Sequence, residues 1–239
     1  MDPKPEKVVP LRNFKTVAIG EVGGSFQLQV DGKPAYTPER RVLESAQRPL
    51  MEAIAQEWTA QGGTLNPSAM PLTRLLATQL DRVAPQRAAI ISGLANYIDA
   101  DVLCYRAPEP PELKARQDQV WQSVLDWLAQ NFAVQFVSID GISPLRQSDA
   151  ARGAFIAALE KLDDARLTAL QASASVVNSV GLSMALVHAH LDARGIHAAA
   201  HLDELFQIEK WGDDEIARKR RDDILADLEA IERYLNLNA

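Results

Sequence analysis

The 239-residue chain has one cysteine, Cys104, so it can form no intramolecular disulfide and no CxxC zinc or redox site. No stretch approaches the ~20 consecutive apolar residues of a membrane-spanning helix. Positive charge is not in excess: 25 Lys+Arg face 32 Asp+Glu, a net charge of −7. Nucleic acid and anionic membranes select an uncompensated basic surface, so neither is the expected partner. The GxxxxGK[ST] phosphate loop, the GxGxxG turn after a strand and the GxSxG nucleophile elbow are all missing. The opening MDPKPEKVVPLRNFK lacks the apolar core and cleavage site of a secretory signal and the Arg-rich, acid-poor character of a transit peptide. That reading predicts a cytoplasmic protein without membrane insertion.

What is present is the composition of a folded chain, 47% hydrophobic and 24% charged, long enough for one or two domains. The pattern changes once, near residue 40. Thr16–Val22 ends at Gly23-Gly24. Phe26, Leu28 and Val30 then alternate with polar residues, and Asp31-Gly32 supplies a tight hairpin turn. This predicts an antiparallel meander, too small to stand alone and in need of cover.

Helical periodicity dominates the rest. Arg48–Gln61, stopped at Gly62-Gly63, Pro71–Val83, Pro85–Ile98 and Pro111–Phe132 are predicted helices, the last with Leu113, Val120, Val124, Trp127 and Leu128 inward. Asp101–Arg106 and Val134–Ile139 are expected to be extended. Val176, Val180, Met184, Val187 and Leu191 form one apolar stripe, and Ile224, Leu228, Ile231 and Leu235 form the last. Trp211-Gly212-Asp213 predicts a helix stop followed by a cap. The fold class is therefore α+β: a small N-terminal β-rich domain over residues 1–40, with an outer limit near 65, and a mainly helical domain over 41–239.

Few residues promise chemistry. Cys104 lies in an apolar run with no histidine nearby in sequence, and is expected to be a buried thiol. All four histidines fall between positions 188 and 201. His197 and His201 stand one helical turn apart with Glu204 beyond them, which would suit a metal-dependent hydrolase. Position 198 is Ala, however, so no general base sits between the histidines, and an Ala-rich helix with polar histidines outward predicts the same spacing. In Asp213–Asp223, net charge −1, the Asp214–Arg218 and Glu215–Lys219 spacings predict ion pairs along a solvated helix.

Four blocks occur in order: Met70–Leu75 (MPLTRL), Asp101–Arg106 (DVLCYR) before a Pro/Glu stretch, Trp121 to Trp127, and His201–Gly212 (HLDELFQIEKWG). Together they resemble the assembly chaperones that handle the α subunit of the catalytic sector of ATP synthase, with similarity from about Ser25 to about Ala217. The resemblance implies a two-part fold and a non-enzymatic, ATP-independent role without catalytic residues, cofactor or metal: binding the unassembled α subunit and promoting assembly of the α/β hexamer. Mitochondrial members would be expected to carry a transit peptide, so its absence from this sequence predicts a bacterial member, expected to act as a monomer. The partner-binding candidates are Asp203, Glu204, Gln207 and Trp211, with Glu204 as the carboxylate that touches the client. By spacing, Leu202, Phe206 and Trp211 are expected to pack the helix; an exposed Trp211 would join the client-binding set. The histidines do not belong to the family pattern. The alternatives are the His197/His201/Glu204 hydrolase and a general helical adaptor.

Overall fold

The computed structural model describes residues 14–62 and 64–239. The reading of residues 1–13 as carrying no leader, and the Gly63 half of the Gly62-Gly63 stop, lie outside the described residues. Tertiary contacts divide the chain into two units, one through Asp81 with Leu237–Ala239 and the other Arg82–Asn236.

In the first unit the two turns form as their residues require. β1 (Val17–Val22) pairs antiparallel with β2 (Ser25–Val30), Val22 opposite Ser25, across Gly23 and Gly24 at φ 61° and 85°. Positive φ at both central positions matches the twist of the flanking strands, and glycine adopts it without a Cβ clash. Asp31 and Gly32, at φ 49° and 75°, repeat the device before β3 (Lys33–Pro34). β4 (Glu44–Ser45) pairs with β2. Leu28 is fully buried, covered by α1 (Arg48–Thr59), which buries Leu50, Met51 and Ile54. α2 (Pro71–Thr78) packs on α1 and is capped from it: the Glu57 carboxylate accepts the N–H groups of Leu72 (2.8 Å) and Thr73 (2.9 Å). A meander of this size needs a cover, and α1 supplies it within the same unit.

The second unit contains α3 (Arg87–Asn96), β5 (Tyr105–Arg106), α4 (Pro111–Phe132), β6 (Ile139–Asp140), α5 (Asp149–Glu160), α6 (Asp164–Val177), α7 (Val180–Val187), α8 (Ala193–Ala200), α9 (Leu202–Trp211) and, as far as Asn236, α10 (Glu215–Leu237). α7, VGLSMALV, is buried at every position and is packed by α4, α6 and α8. A helix apolar all round belongs at the centre of a bundle. Its N-terminus is held by the buried Asp101, whose carboxylate accepts the Ser179 hydroxyl (2.7 Å) and the Gly181 N–H (2.9 Å). The stripe running from Val176 to Leu191 is thus broken at Asn178 (φ 52°) and the capping Ser179, with Val176 on α6, Val180, Met184 and Val187 on α7, and Leu191 beyond the end of α7.

The two expected extended segments shrink. Asp101–Arg106 begins as a 3-10 turn, and only Tyr105–Arg106 pairs, in parallel, with Ile139–Asp140. Residues 134–138 form no ladder; instead the Gln147 amide donates to the Val137 carbonyl (2.9 Å) and accepts its N–H (2.8 Å). One side chain does the work of a neighbouring strand. α4 spans the predicted residues, but its buried face includes Gln117 and Trp121, while Val120 and Trp127 are only half-buried.

Candidate functional site

α9 is ten residues long, too short to be stable by itself, and it is fixed by polar tethers as much as by its apolar face. Leu202 and Phe206 are buried, as their spacing predicts. Trp211 is not: it is 75% exposed, because the helix stops at Gly212 (φ 86°) and the next helix leaves without covering the indole. The packing role expected of Trp211 is corrected accordingly. It stands in the solvent with Ile216 of α10, 82% exposed, just across the turn.

Two tethers come from α4. The buried Gln117 donates to Asp203 Oδ1 at 2.6 Å, and its carbonyl accepts the Ala107 N–H at 2.7 Å. Arg116 pairs with Glu209 at 2.7 Å and lies 5.2 Å from the Phe206 ring centroid, holding the Glu209 carboxyl below its ordinary range by that hydrogen bond. Nearby, the buried Trp121 donates its indole N–H to the Ala199 carbonyl at 2.8 Å, and the Arg106 guanidinium stacks 5.3 Å from the Trp121 ring.

The third tether comes from α10. Arg221 is buried, its side chain only 7% exposed, and its guanidinium donates to Glu204 Oε1 and to Asp213 Oδ1 (2.6 Å). Asp213 also receives Arg218 at 2.8 Å, and these two hydrogen-bonded guanidinium groups hold its carboxyl below the usual range. The predicted pairs from Asp214 and Glu215 therefore do not form as expected. Asp214 caps α10 by accepting the Ala217 N–H at 2.9 Å, Arg218 turns to Asp213, and Lys219 reaches Asp223 at 3.3 Å. A helix that starts at Glu215 leaves Asp214 at the cap, where a carboxylate is worth more than along the side.

The histidines split into two pairs. His190 stacks on Trp127, with centroids 4.4 Å apart and planes 8° apart, and His188 lies beside Phe132 at 4.7 Å. His197 and His201 sit 4.3 Å apart, but across the α8–α9 junction. His197 Nε2 donates to the Arg221 carbonyl (3.0 Å) and His201 Nδ1 to the His197 carbonyl (2.9 Å). Burial, the neighbouring His201 and the Arg221 charge push the His197 pKa down. His197 Nε2 and His201 Nδ1 are thus each committed to a backbone carbonyl, and no group of three or more His, Cys, Asp or Glu side chains among the described residues is arranged to hold a metal. Cys104 is buried, and burial together with the Asp101 carboxylate pushes its thiol pKa up, so it packs as the expected inert thiol.

The four partner-binding candidates all lie on α9. Spacing of four places Asp203, Gln207 and Trp211 along one exposed side, with Glu204 at its margin. Gln207 and Trp211 present free surface. Asp203 and Glu204 each give one oxygen to an internal partner, and among the described residues each keeps its other oxygen for solvent or a ligand. The residues that organise this side, Gln117 and Arg221, were missed, yet both left a signal. Gln117 falls between Leu113 and Trp121 on the inward face of α4, and Arg221 occupies the apolar-stripe position seven residues before Leu228. A polar residue in an apolar register needs a buried partner.

The family model of the ATP12 chaperone protein matches residues 11–129. The curated mitochondrial atp12 protein of Schizosaccharomyces pombe is 21% identical over 213 residues, spanning 84% of this chain and 73% of its own. The mitochondrial ATP12 of Saccharomyces cerevisiae is 24% identical over 233 residues, 80% of this chain and 72% of its own. The crystal structure of Atp12 from Paracoccus denitrificans superimposes with a TM-score of 0.88 at 32% identity, covering 96% of this chain and 98% of that one. The Atu1473 protein of Agrobacterium tumefaciens gives the same TM-score at 33% identity, over 98% and 91%. The likeness thus extends past the Ser25–Ala217 span carried by the sequence blocks. With a third of its residues identical to those of structures it matches from end to end, the chain belongs to the ATP12 chaperone family.

Proposed function

We propose that the protein is an ATP-independent chaperone of the bacterial cytoplasm that binds the unassembled α subunit of the ATP synthase catalytic sector and promotes assembly of the α/β hexamer. It acts as a monomer and without catalysis. Its contact with the client is the exposed side of α9: Trp211 and Gln207 directly, Asp203 and Glu204 through their free carboxylate oxygens. The observation that carries this reading is Trp211, a tryptophan left 75% exposed on a helix otherwise tethered on both flanks. Large aromatic side chains dominate the energetics of protein interfaces, and a rigid mount lowers the ordering cost of using one. An unassembled subunit exposes apolar surface that would otherwise self-associate, and a covering protein removes it from water by the same hydrophobic drive. The cover must come off again, so affinity is moderate and the β subunit displaces the chaperone. The test is capture of separately expressed α and β subunits by the purified protein. Selective capture of α is expected; equal capture of β, or capture of neither, overturns the assignment.

A further inference from the structure

Between β3 and β4 the first unit makes a further hairpin. Leu43 donates its N–H to the Ala35 carbonyl (2.9 Å), Tyr36 bridges Val42, and Thr37 donates its N–H to the Arg41 carbonyl (2.8 Å). The Arg40 N–H closes the tip on the Thr37 carbonyl at 2.9 Å, with Pro38 at the turn position whose φ proline presets. The tip is thus a three-residue loop, a turn followed by one left-handed residue, and glycine is the ordinary choice for that last position. Here it is Arg40, at φ 61°.

The fold holds this strained tip from behind. Asp81 accepts the Thr37 hydroxyl through one carboxylate oxygen (2.6 Å) and the Glu39 N–H through the other (3.1 Å), and the Thr37 hydroxyl oxygen accepts the Arg41 N–H (3.1 Å). Asp81 therefore fixes the loop without neutralising its cations. Arg40 and Arg41 are both exposed, and among the described residues neither guanidinium has a partner. Glycine at position 40 would relieve the left-handed strain, and no hydrogen bond or ion pair of the fold uses the arginine side chain. Strain kept where the fold gains nothing from it points to a use outside the fold.

The chemistry of the tip defines what it meets. Two guanidinium groups on adjacent residues recognise anions. Nucleic acid and anionic membranes would be repelled by a chain of net charge −7, and a phosphate dianion would crowd the exposed Glu39 carboxylate at the same tip. Carboxylates spaced along a protein segment can reach Arg40 and Arg41 separately while Glu39 stays in water. Tyr36, 58% exposed on the arm of the hairpin, supplies the residue type that is enriched with arginine at protein interfaces.

We propose that the Pro38–Arg41 tip docks an acidic segment of the client subunit, whose carboxylates pair with Arg40 and Arg41. The inference rests on the chaperone reading above and adds a contact point in the first unit, opposite in charge to Asp203 and Glu204 of α9.

The experiment compares capture of the separately expressed α and β subunits by the full chain and its variants at low and high salt. Arg40→Gly removes one guanidinium and relieves the left-handed strain, so it should melt no lower than wild type while binding the client about three- to tenfold more weakly. Arg40→Gly with Arg41→Glu should bind at least about tenfold more weakly and lose most of the salt dependence of wild type. Lys161→Ala, at an exposed lysine of the helical unit, should leave capture unchanged. A glutamate-rich peptide should compete with the client for wild type. Wild-type affinity in the double variant overturns the docking point and leaves the α9 reading intact. An Arg40→Gly chain that melts below wild type makes the side chain structural and overturns it too. Competition by inorganic phosphate as strong as by the peptide, at equal charge concentration, overturns the acidic segment as the occupant. A wild-type chain that captures neither subunit overturns both proposals.

Discussion

Reversing the charge at Glu204 separates a client contact from a structural clamp. Glu204→Lys removes one of the two carboxylates on Arg221 and places a second cation beside a guanidinium that is only 7% exposed. Stripping a partner from a fully buried ion pair costs about 3–5 kcal/mol, whereas an exposed pair is worth about 0.2–1 kcal/mol. Glu204 itself is 43% exposed, and Asp213 stays in place, so the cost falls between these limits, about 1–3 kcal/mol. At about 2–4 °C per kcal/mol for a chain of this size, Tm should drop by about 2–12 °C. The assay is thermal melting by circular dichroism, with client capture measured well below both midpoints. The clamp has its own control: in an Arg221→Met background the same substitution should lose most of its effect, because the two residues act as one pair. A Glu204→Lys melt superimposable on wild type would refute the clamp and leave Glu204 as a purely external charge.

Trp211→Ala should leave Tm within about 1 °C, since an exposed side chain contributes little to the fold, while weakening client capture by about 30-fold or more as an interface anchor. Trp121→Phe should lower stability by about 1–3 kcal/mol, read by urea unfolding, because it strands the buried Ala199 carbonyl that the indole N–H satisfies. Native Cys104 should resist thiol reagents at pH 8 and react fully in urea, since burial and the Asp101 carboxylate keep it protonated. The His197 pKa is depressed on folding, so its contribution to stability is present above the unfolded value of ~6.5 and is lost as pH falls through the folded value. Tm should therefore fall on acidification from pH 7 to 5, and less so in His197→Gln.

The elements that sequence reading places well are those decided locally. Gly23-Gly24 and Asp31-Gly32 dictate their turns through positive φ, and Pro111 begins a helix whose apolar spacing, interrupted at Gln117, runs to Phe132. The elements it misplaces were decided by distant partners. Val134–Ile139 has strand composition, but Gln147 satisfies Val137 where a neighbouring strand was expected. Trp211 is expected to pack with Leu202 and Phe206, but it stands five residues after Phe206 and four after Gln207, which turns it to the exposed side, and no helix after Gly212 covers it. The candidate site divides in the same way. That α9 carries it is legible in the HLDELFQIEKWG block, whereas the identity of Glu204's partner depends on where α10 folds back.

That return of α10 accounts for the disposition of the acids. Each tether approaches α9 from a flank: Gln117 and Arg116 from α4, Arg221 from α10. Every one ends on a carboxylate, and none touches Gln207 or Trp211. The exposed side is therefore held in place without being consumed. A helix so mounted loses little freedom on binding, which lets a small contact area give useful affinity. The same economy suits release. On the proposed reading, a cover that relies on one indole and a few polar groups, and not on a large apolar face, is one that a larger apolar interface can displace.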